Sequence, residues 1–405
     1  MIVSLGVLAN AASHWFTDNA PATALYFNPA NPDARIRAVE KAISANDETQ
    51  PDVENLASIL TEAIRYEPHD ARLYSLLGLI EEYSGKPSQT VQALYSHALA
   101  LDPTDIRALI RRFAYSVSNE ETGEAVRIAE LVFRAWRKEW PALEPYIPEL
   151  LGSDVGYGEA RKRFAQLPGG PGSMLLSLAK TGDGLTIAKK LLLDWHRDGV
   201  GNLRPAINGI TQRLIQAKDP VNAYLLFGLT LTPQESSEAG FVYNSSFNLD
   251  PNGSQFDWRL PRQPGVGFQI VRRPAGKGRE AQDESRAMEI RFLNAPVRLA
   301  QALQTVRLPA SPFIWKVTYS TRDLKGPKPL QLLLRCYPGS KPVEQLVLTA
   351  TDNEPRTVSV TASVPPSDCP LQQIVVLNGN PVESWQNRYS GSLFLHEIDV
   401  QLAGS

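Results

Sequence analysis

Residues 71–103 read ARLYSLLGLIEEYSGKPSQTVQALYSHALALDP, and their spacing decides the first half of the fold. Tyr74, Leu77 and Gly78 belong to one helical pattern, and Val91, Tyr95 and Ala98 to a second. Two such helices pack closely only where one carries a small residue. Gly78 provides that position, and an aromatic ring fills the groove beside it. Pro103 cannot continue a helix, so it fixes where the next unit starts.

The same punctuation recurs on either side. Tyr66-Glu67-Pro68-His69-Asp70, Leu101-Asp102-Pro103-Thr104-Asp105 and Glu139-Trp140-Pro141 place prolines 35 and 38 residues apart. That is close to the period of about 34 residues expected of stacked helix–turn–helix units. The first unit keeps mainly its second helix, Val53 to Tyr66. The third has Ala108, Ala125, Ala129 and Phe133 but no Leu-Gly pair. The middle unit resembles the tetratricopeptide repeat. It departs from it at Glu81, where an aromatic is usual, and carries one extra residue. The resemblance implies an α-helical repeat domain over residues 33–232, with a concave groove for a protein partner. On a helical wheel Arg72, Ser75, Leu79 and Glu82 line that groove. An unrelated helical bundle is the alternative.

Helical patterns continue through Tyr157–Leu167, Met174–Ala179, Leu185–Trp195, Leu203–Ala217 and Val221–Leu231. Gly169-Gly170-Pro171-Gly172 is a break, not a phosphate loop, because no Gly-Lys-Ser/Thr follows it.

At Thr232-Pro233 the period changes from 3.6 to 2. Met288, Ile290 and Phe292 alternate with Glu289 and Arg291, and Trp315, Val317 and Tyr319 with Lys316 and Thr318. Leu330, Leu332, Leu334 and Cys336 share one face, and so do Phe394, His396, Ile398, Val400 and Leu402. Many short alternating strands separated by Pro, Gly and Asn turns predict an antiparallel β-sandwich over residues 233–405. The succession Tyr243-Asn244-Ser245-Ser246-Phe247, Phe256-Asp257-Trp258, Met288–Phe292, Gln304–Pro309 and Ile398–Leu402 is similar to the jelly-roll, galactose-binding-like superfamily. That superfamily includes many carbohydrate-binding modules, and the resemblance covers about residues 240–403. Repeats followed by such a sandwich are similar to bacterial envelope proteins of polysaccharide synthesis or export.

Composition narrows the function. The chain has 405 residues, 43% hydrophobic and 21% charged, with a net charge of −2. It has no basic stripe, so a nucleic-acid partner is not expected. The two cysteines, Cys336 and Cys369, stand 33 residues apart without metal-ligand spacing. They form either a disulfide, which would imply an oxidising compartment such as the periplasm, or two buried thiols. Residues 1–32 open with no Asp, Glu, Lys or Arg before Asp18, and Ile2, Val3, Leu5, Val7 and Leu8 are apolar. They read as a signal or membrane-anchor remnant, or as a first helix docking on the repeats.

Sugars stack on aromatic faces, so Trp258, Trp385 and Tyr389 are the candidate ligand-binding residues; the alternative has Trp258 capping the sandwich core and Trp385 and Tyr389 folding back on the end of the sandwich. Trp385 and Tyr389 lie in the polar loop Glu383–Tyr389. Trp315 and Tyr319 alternate with polar neighbours and are read as core. Asp250, Asn252, Asp257, Glu397 and Asp399 have no calcium-loop spacing, and no metal or cofactor is expected. No nucleophile motif or singled-out carboxylate pair appears, and the histidines, His396 included, are isolated. The expectation is a non-enzymatic scaffold of the cell envelope that binds a protein partner through its repeats. A lectin-like polysaccharide binder is the alternative, and a glycan-active enzyme stands third.

Overall fold

The computed structural model describes residues 2–45, 52–260, 262–272, 285–297, 302–365, 369–378 and 385–403. The chain divides into two compact units, Met1–Leu178 and Ala179–Ser405.

The first unit is helical. Its elements are α1 (Ile2–Phe16), α2 (Pro21–Phe27), α3 (Pro32–Ala45), α4 (Val53–Tyr66), α5 (Ala71–Tyr83), α6 (Ser88–Leu101), α7 (Ile106–Ser118) and α8 (Thr122–Ala135). The short α9 (Trp140–Leu143), α10 (Ile147–Gly152), α11 (Asp154–Phe164) and α12 (Gly172–Leu178) follow. The recurring Pro-x-Asp motif sets the boundaries. Pro68 and Pro103 follow helix ends, and two residues on an aspartate starts the next helix. Asp70 accepts from the Arg72 backbone N–H at 3.0 Å, and Asp105 from that of Ala108 at 2.8 Å. Leu73, Leu76 and Ile80 of α5 pack with Leu56 and Leu60 of α4 and with Ile36 and Val39 of α3. Each such side chain contributes about 1.5–3 kcal/mol on burial. Ala71 packs instead with Val91, Tyr95 and Ala98 of α6 and Ala108 of α7. A Cβ on Gly78 would lie 2.8 Å from the Tyr95 ring, so α5 and α6 approach as closely as a glycine permits.

The second unit begins with α13 (Gly182–Arg197), α14 (Arg204–Gln216), α15 (Pro220–Leu229) and α16 (Pro233–Ser237). Its strands are β1 (Val266–Arg272), β2 (Arg286–Pro296), β3 (Ala302–Val306), β4 (Phe313–Lys325), β5 (Leu330–Tyr337), β6 (Pro342–Leu348), β7 (Arg356–Ala362), β8 (Leu371–Asn378) and β9 (Arg388–Leu402). Among the described residues they form a five-stranded sheet, β1-β2-β9-β4-β7, and a four-stranded sheet, β3-β8-β5-β6. All pairings are antiparallel, and the order β2-β9-β4-β7 over β3-β8-β5-β6 is that of a jelly roll. The β1–β2 hairpin extends one sheet. Met288, Ile290, Trp315, Val317, Tyr319, Leu332, Leu334, Ile374 and Ile398 form the core between the sheets.

The strands follow α16, and the compact unit that holds the sandwich starts at Ala179 and includes α13–α15. The structure corrects the sequence reading in two places. Tyr243–Phe247 and Phe256–Trp258 are not strands. They belong to a lead-in that turns, buries Phe247, Phe256 and Trp258, and bonds to the edge of β3 through Arg259–Leu303 and Thr305–Gln255. The last strand does not keep one face. Thr318 pairs with Glu397 but Tyr319 with Leu395, so His396 is an extra residue. Leu393 and Leu395 are in the core on one side of this bulge, Ile398 and Val400 on the other, and Phe394 is not among the core residues.

Candidate functional site

A concavity in the second unit lies where α15 meets the sandwich end carrying the β3–β4 and β7–β8 connections. Asp219 caps α15, and Pro220 occupies its first turn. The helix then places Tyr224 and Phe227 three residues apart on one face. Phe227 packs edge-on against Tyr243, with centroids 5.2 Å apart, and lies 5.4 Å from Phe256. Tyr224 packs edge-on against Phe256 at 5.2 Å. Burial pushes the Tyr224 phenol above its ordinary pKa, while nearby Arg307 pulls the other way.

A polar junction holds this aromatic joint in place. Arg204 of α14 donates to both carboxylate oxygens of Glu235, at 2.7 and 2.8 Å. Thr232 and Glu235 complete a capping box on α16. Asn252 donates to Glu235 at 3.1 Å, and Asn208 to the Asn252 carbonyl at 3.3 Å. Burial opposes charge on Glu235, but the bonds from Thr232, Arg204 and Asn252 outweigh it and hold its carboxyl below the ordinary range. Asp257 is fully buried and accepts backbone N–H bonds from Asn252 and Trp258. Its pKa is pushed up to about 6 by burial, against those bonds.

Outside the joint lies a cleft of about 550 Å³ lined by Tyr224, Phe241, Arg307, Pro309, Pro365 and Gln372, among others. That is within the usual size range for small-ligand sites. A smaller chamber of about 70 Å³ also borders Tyr224 and Phe241. The Arg307 guanidinium lies 6.0 Å from the Tyr224 ring centroid. Phe241 is 37% exposed. Gln372 fixes one wall by accepting from the Leu308 N–H and donating to the Cys369 carbonyl, each at 2.8 Å. Cys369 also lines the cleft and is disulfide-bonded to Cys336 at the end of β5. Of the two readings left open by the sequence, the bonded one is the structure's. The cleft combines ring faces with polar groups, and no Asp, Glu or His is among its described lining residues.

The aromatic residues expected to bind a ligand are elsewhere. Trp258 and Tyr389 are each 1% exposed and sit in the sandwich core, against Phe247 and Phe292 respectively. Neither offers a ring face to a sugar, and of the two readings of each residue the inward one is the structure's. Trp385 is 74% exposed on the β8–β9 connection, at the sandwich end opposite the cleft. Glu383 and Ser384 lie outside the described residues. On the outer side of the five-stranded sheet, Glu289 accepts from Gln269 and Ser392, Arg322 stacks over Phe394, and Ser320 bonds His396 at 2.9 Å. Those groups are committed to one another. Among the described residues, no cluster of three His, Cys, Asp or Glu side chains could hold a metal ion.

In the helical unit, the four groove residues divide. Ser75 is fully buried and bonds Asp105 at 3.1 Å and Arg107 at 3.4 Å, so it joins α5 to α7 and does not line an open surface. Leu79 packs partly into the core between α3, α4 and α5. Arg72 pairs with Asp33 at 2.8 Å and Asp70 at 2.6 Å, and Glu82 with Tyr95 at 2.9 Å and Arg111 at 3.4 Å. Arg107 reaches Glu40 of α3 at 2.8 Å, so an ion pair joins α7 to α3, 67 residues earlier.

The sequence reading missed Tyr224, Phe241 and Arg307. Tyr224 and Phe227 were simply two aromatics in an apolar helix. Only their three-residue spacing hinted at a shared face.

No family model matches the sequence, and no curated protein matches it. Solved structures match the C-terminal part weakly. A structure described as "CBM4 structure and function" is 10% identical over 40% of this chain and 98% of its own, with a TM-score of 0.29. A carbohydrate-binding module solved with β-1,4-galactotriose, TmCBM61, is 15% identical over 41% of this chain and 99% of its own, at 0.25. A Stig cyclase from Fischerella is 13% identical over 34% of this chain and 80% of its own, at 0.22. Binding modules and an enzyme thus stand side by side in this likeness, and it assigns no chemistry to the chain.

Proposed function

We propose that this is a non-catalytic carbohydrate-binding protein of the bacterial cell envelope. The cleft beside α15 holds a saccharide, and the helices of the first unit act as a tetratricopeptide-like array that docks a protein partner. The cleft carries the proposal. Tyr224 and Phe241 offer ring faces to the C–H side of a sugar, and Arg307 offers donors to its hydroxyls or carboxylate. A fixed wall, held by Gln372 and the disulfide, keeps the ordering cost of binding low. The disulfide also suits an oxidising compartment such as the periplasm, where exported polysaccharide is handled.

Calorimetric titration of the full chain with neutral and acidic oligosaccharides tests this. Tyr224→Ala and Arg307→Ala should each weaken binding by about 3–10-fold, the scale of one stacked ring or one charge-assisted bond. Trp385→Ala should leave it unchanged. No heat across the panel with the unaltered protein would reject the carbohydrate reading. Loss of binding on Trp385→Ala alone would move the site to the other end of the sandwich.

A further inference from the structure

Helix α1 buries polar side chains and exposes large apolar ones. Its polar Ser13 is fully buried and Thr17 is 8% exposed, whereas Val7, Leu8 and Trp15 are 64%, 67% and 81% exposed. The neighbouring α2 exposes Tyr26 at 83% on its own outer side. A helix on a water-facing surface shows the opposite polarity, with apolar residues inward.

The inward polar groups are satisfied within the protein. Asn31 donates to Ser13 at 2.8 Å and to Thr17 at 3.2 Å, and Thr17 donates to the Ser13 carbonyl at 2.9 Å. Asn10 and His14 are exposed, and Asn10 accepts from Asn28 at 2.9 Å. Phe16 and Phe27 stack, with centroids 6.1 Å apart, and tie α2 to α1. Residues 1–17 contain no Asp, Glu, Lys or Arg. The first charge, Asp18, pairs with Arg37 at 3.2 Å, just beyond Trp15.

We propose that the outer face of α1 and α2 docks into a lipid bilayer. Val7 and Leu8 enter the acyl boundary, Trp15 and Tyr26 sit at headgroup level, and the Asp18–Arg37 pair stays in water. A protein partner would require only an apolar face. A bilayer requires in addition that polar side chains find partners inside the protein, and that charge begin only beyond the aromatic rings. Ser13, Thr17 and Asn31 meet the first, Asn10 and His14 being the exposed polar side chains of α1 among the described residues, and the position of Asp18 meets the second. Among the described residues no helix is long and apolar enough to cross a membrane, and the contact proposed is an interfacial one. The proposal is independent of the saccharide cleft.

Flotation of the full chain with phosphatidylcholine vesicles tests it. The protein should float with these uncharged vesicles, equally at low and high salt. Leu8→Glu and Val7→Glu should each reduce the floated fraction at least tenfold. Their melting temperatures should not change, because both side chains are exposed. Brominated lipid should quench part of the tryptophan emission, and Trp15→Phe should remove most of that quenching. A chain that stays out of the vesicle fraction would overturn the proposal, and so would flotation abolished by salt or unaffected by Leu8→Glu. Self-association lost on Leu8→Glu, with no flotation, would assign the face to a second copy of the chain.

Discussion

Gly78→Ala pits two known effects against each other at one buried helix position. Alanine is the better helix former by about 1 kcal/mol, which alone would stabilise α5. The added methyl, however, would lie 2.8, 3.1 and 3.2 Å from three carbons of the Tyr95 ring. Ordinary carbon–carbon contact is about 3.5–4.0 Å, so ring or helix must shift by roughly 0.7–1 Å. Tyr95 has no free space to move into, being fully buried with its hydroxyl bonded to Glu82 at 2.9 Å. Overpacking of this kind costs about 1–3 kcal/mol. The clash should therefore win by about 1 kcal/mol for alanine. For Gly78→Val, with two further methyls and poorer helix propensity, it should win by about 3 kcal/mol. Urea unfolding followed by far-ultraviolet circular dichroism would measure both. Tyr95→Leu provides the control: in that background Gly78→Ala should become neutral or stabilising. A Gly78→Ala protein as stable as the original, with Tyr95 in place, would refute the close-approach argument.

Other outcomes follow from the second unit. Phe227→Ala removes the ring that packs on both Tyr243 and Phe256 and should cost about 3–5 kcal/mol, read from thermal unfolding. Replacing Cys336 and Cys369 together by alanine reopens a 33-residue loop and should cost about 3–4 kcal/mol on the chain-entropy estimate, measured against the oxidised protein. Asp257, raised from 3.8 to about 6, binds its proton more tightly folded than unfolded. Its contribution to stability is therefore full at and below about pH 4 and falls away as pH climbs to about 6, by about 3 kcal/mol. Asp257→Asn should remove that slope from the melting temperature between pH 4 and 7. An unchanged slope would show that the carboxyl ionises normally.

The parts of the fold visible in the sequence were those with a strict period. Trp315, Val317 and Tyr319 alternate without interruption, and all three are core residues. The Gly78–Tyr95 contact was legible because close helix packing demands a small residue opposite a ring. The last strand misled because a bulge adds a residue without altering the run of apolar letters. Phe394 and His396 therefore looked like partners of Ile398. Trp258 and Tyr389 stayed open between two readings, because a turn aromatic and a loop aromatic carry no sign of whether the ring folds inward. The cleft was not legible at all. Tyr224, Phe241 and Arg307 are spread over 83 residues in a helix, a linker and a strand end, and it is the packing of Tyr224 and Phe227 on Phe256 and Tyr243 that joins that helix to the lead-in of the sandwich.

The lead-in bonded to β3 also governs how the protein can be divided. Gln255 and Arg259 take up backbone groups on the outer side of that strand, so the four-stranded sheet has no bare margin there. A fragment trimmed to begin at β1 would lose that cover together with Phe256 and the helix seated on it. It would present an unclaimed row of N–H and C=O groups able to recruit the same row on another molecule, and it should precipitate. A fragment starting at Ala179 keeps the seal and should stay monodisperse.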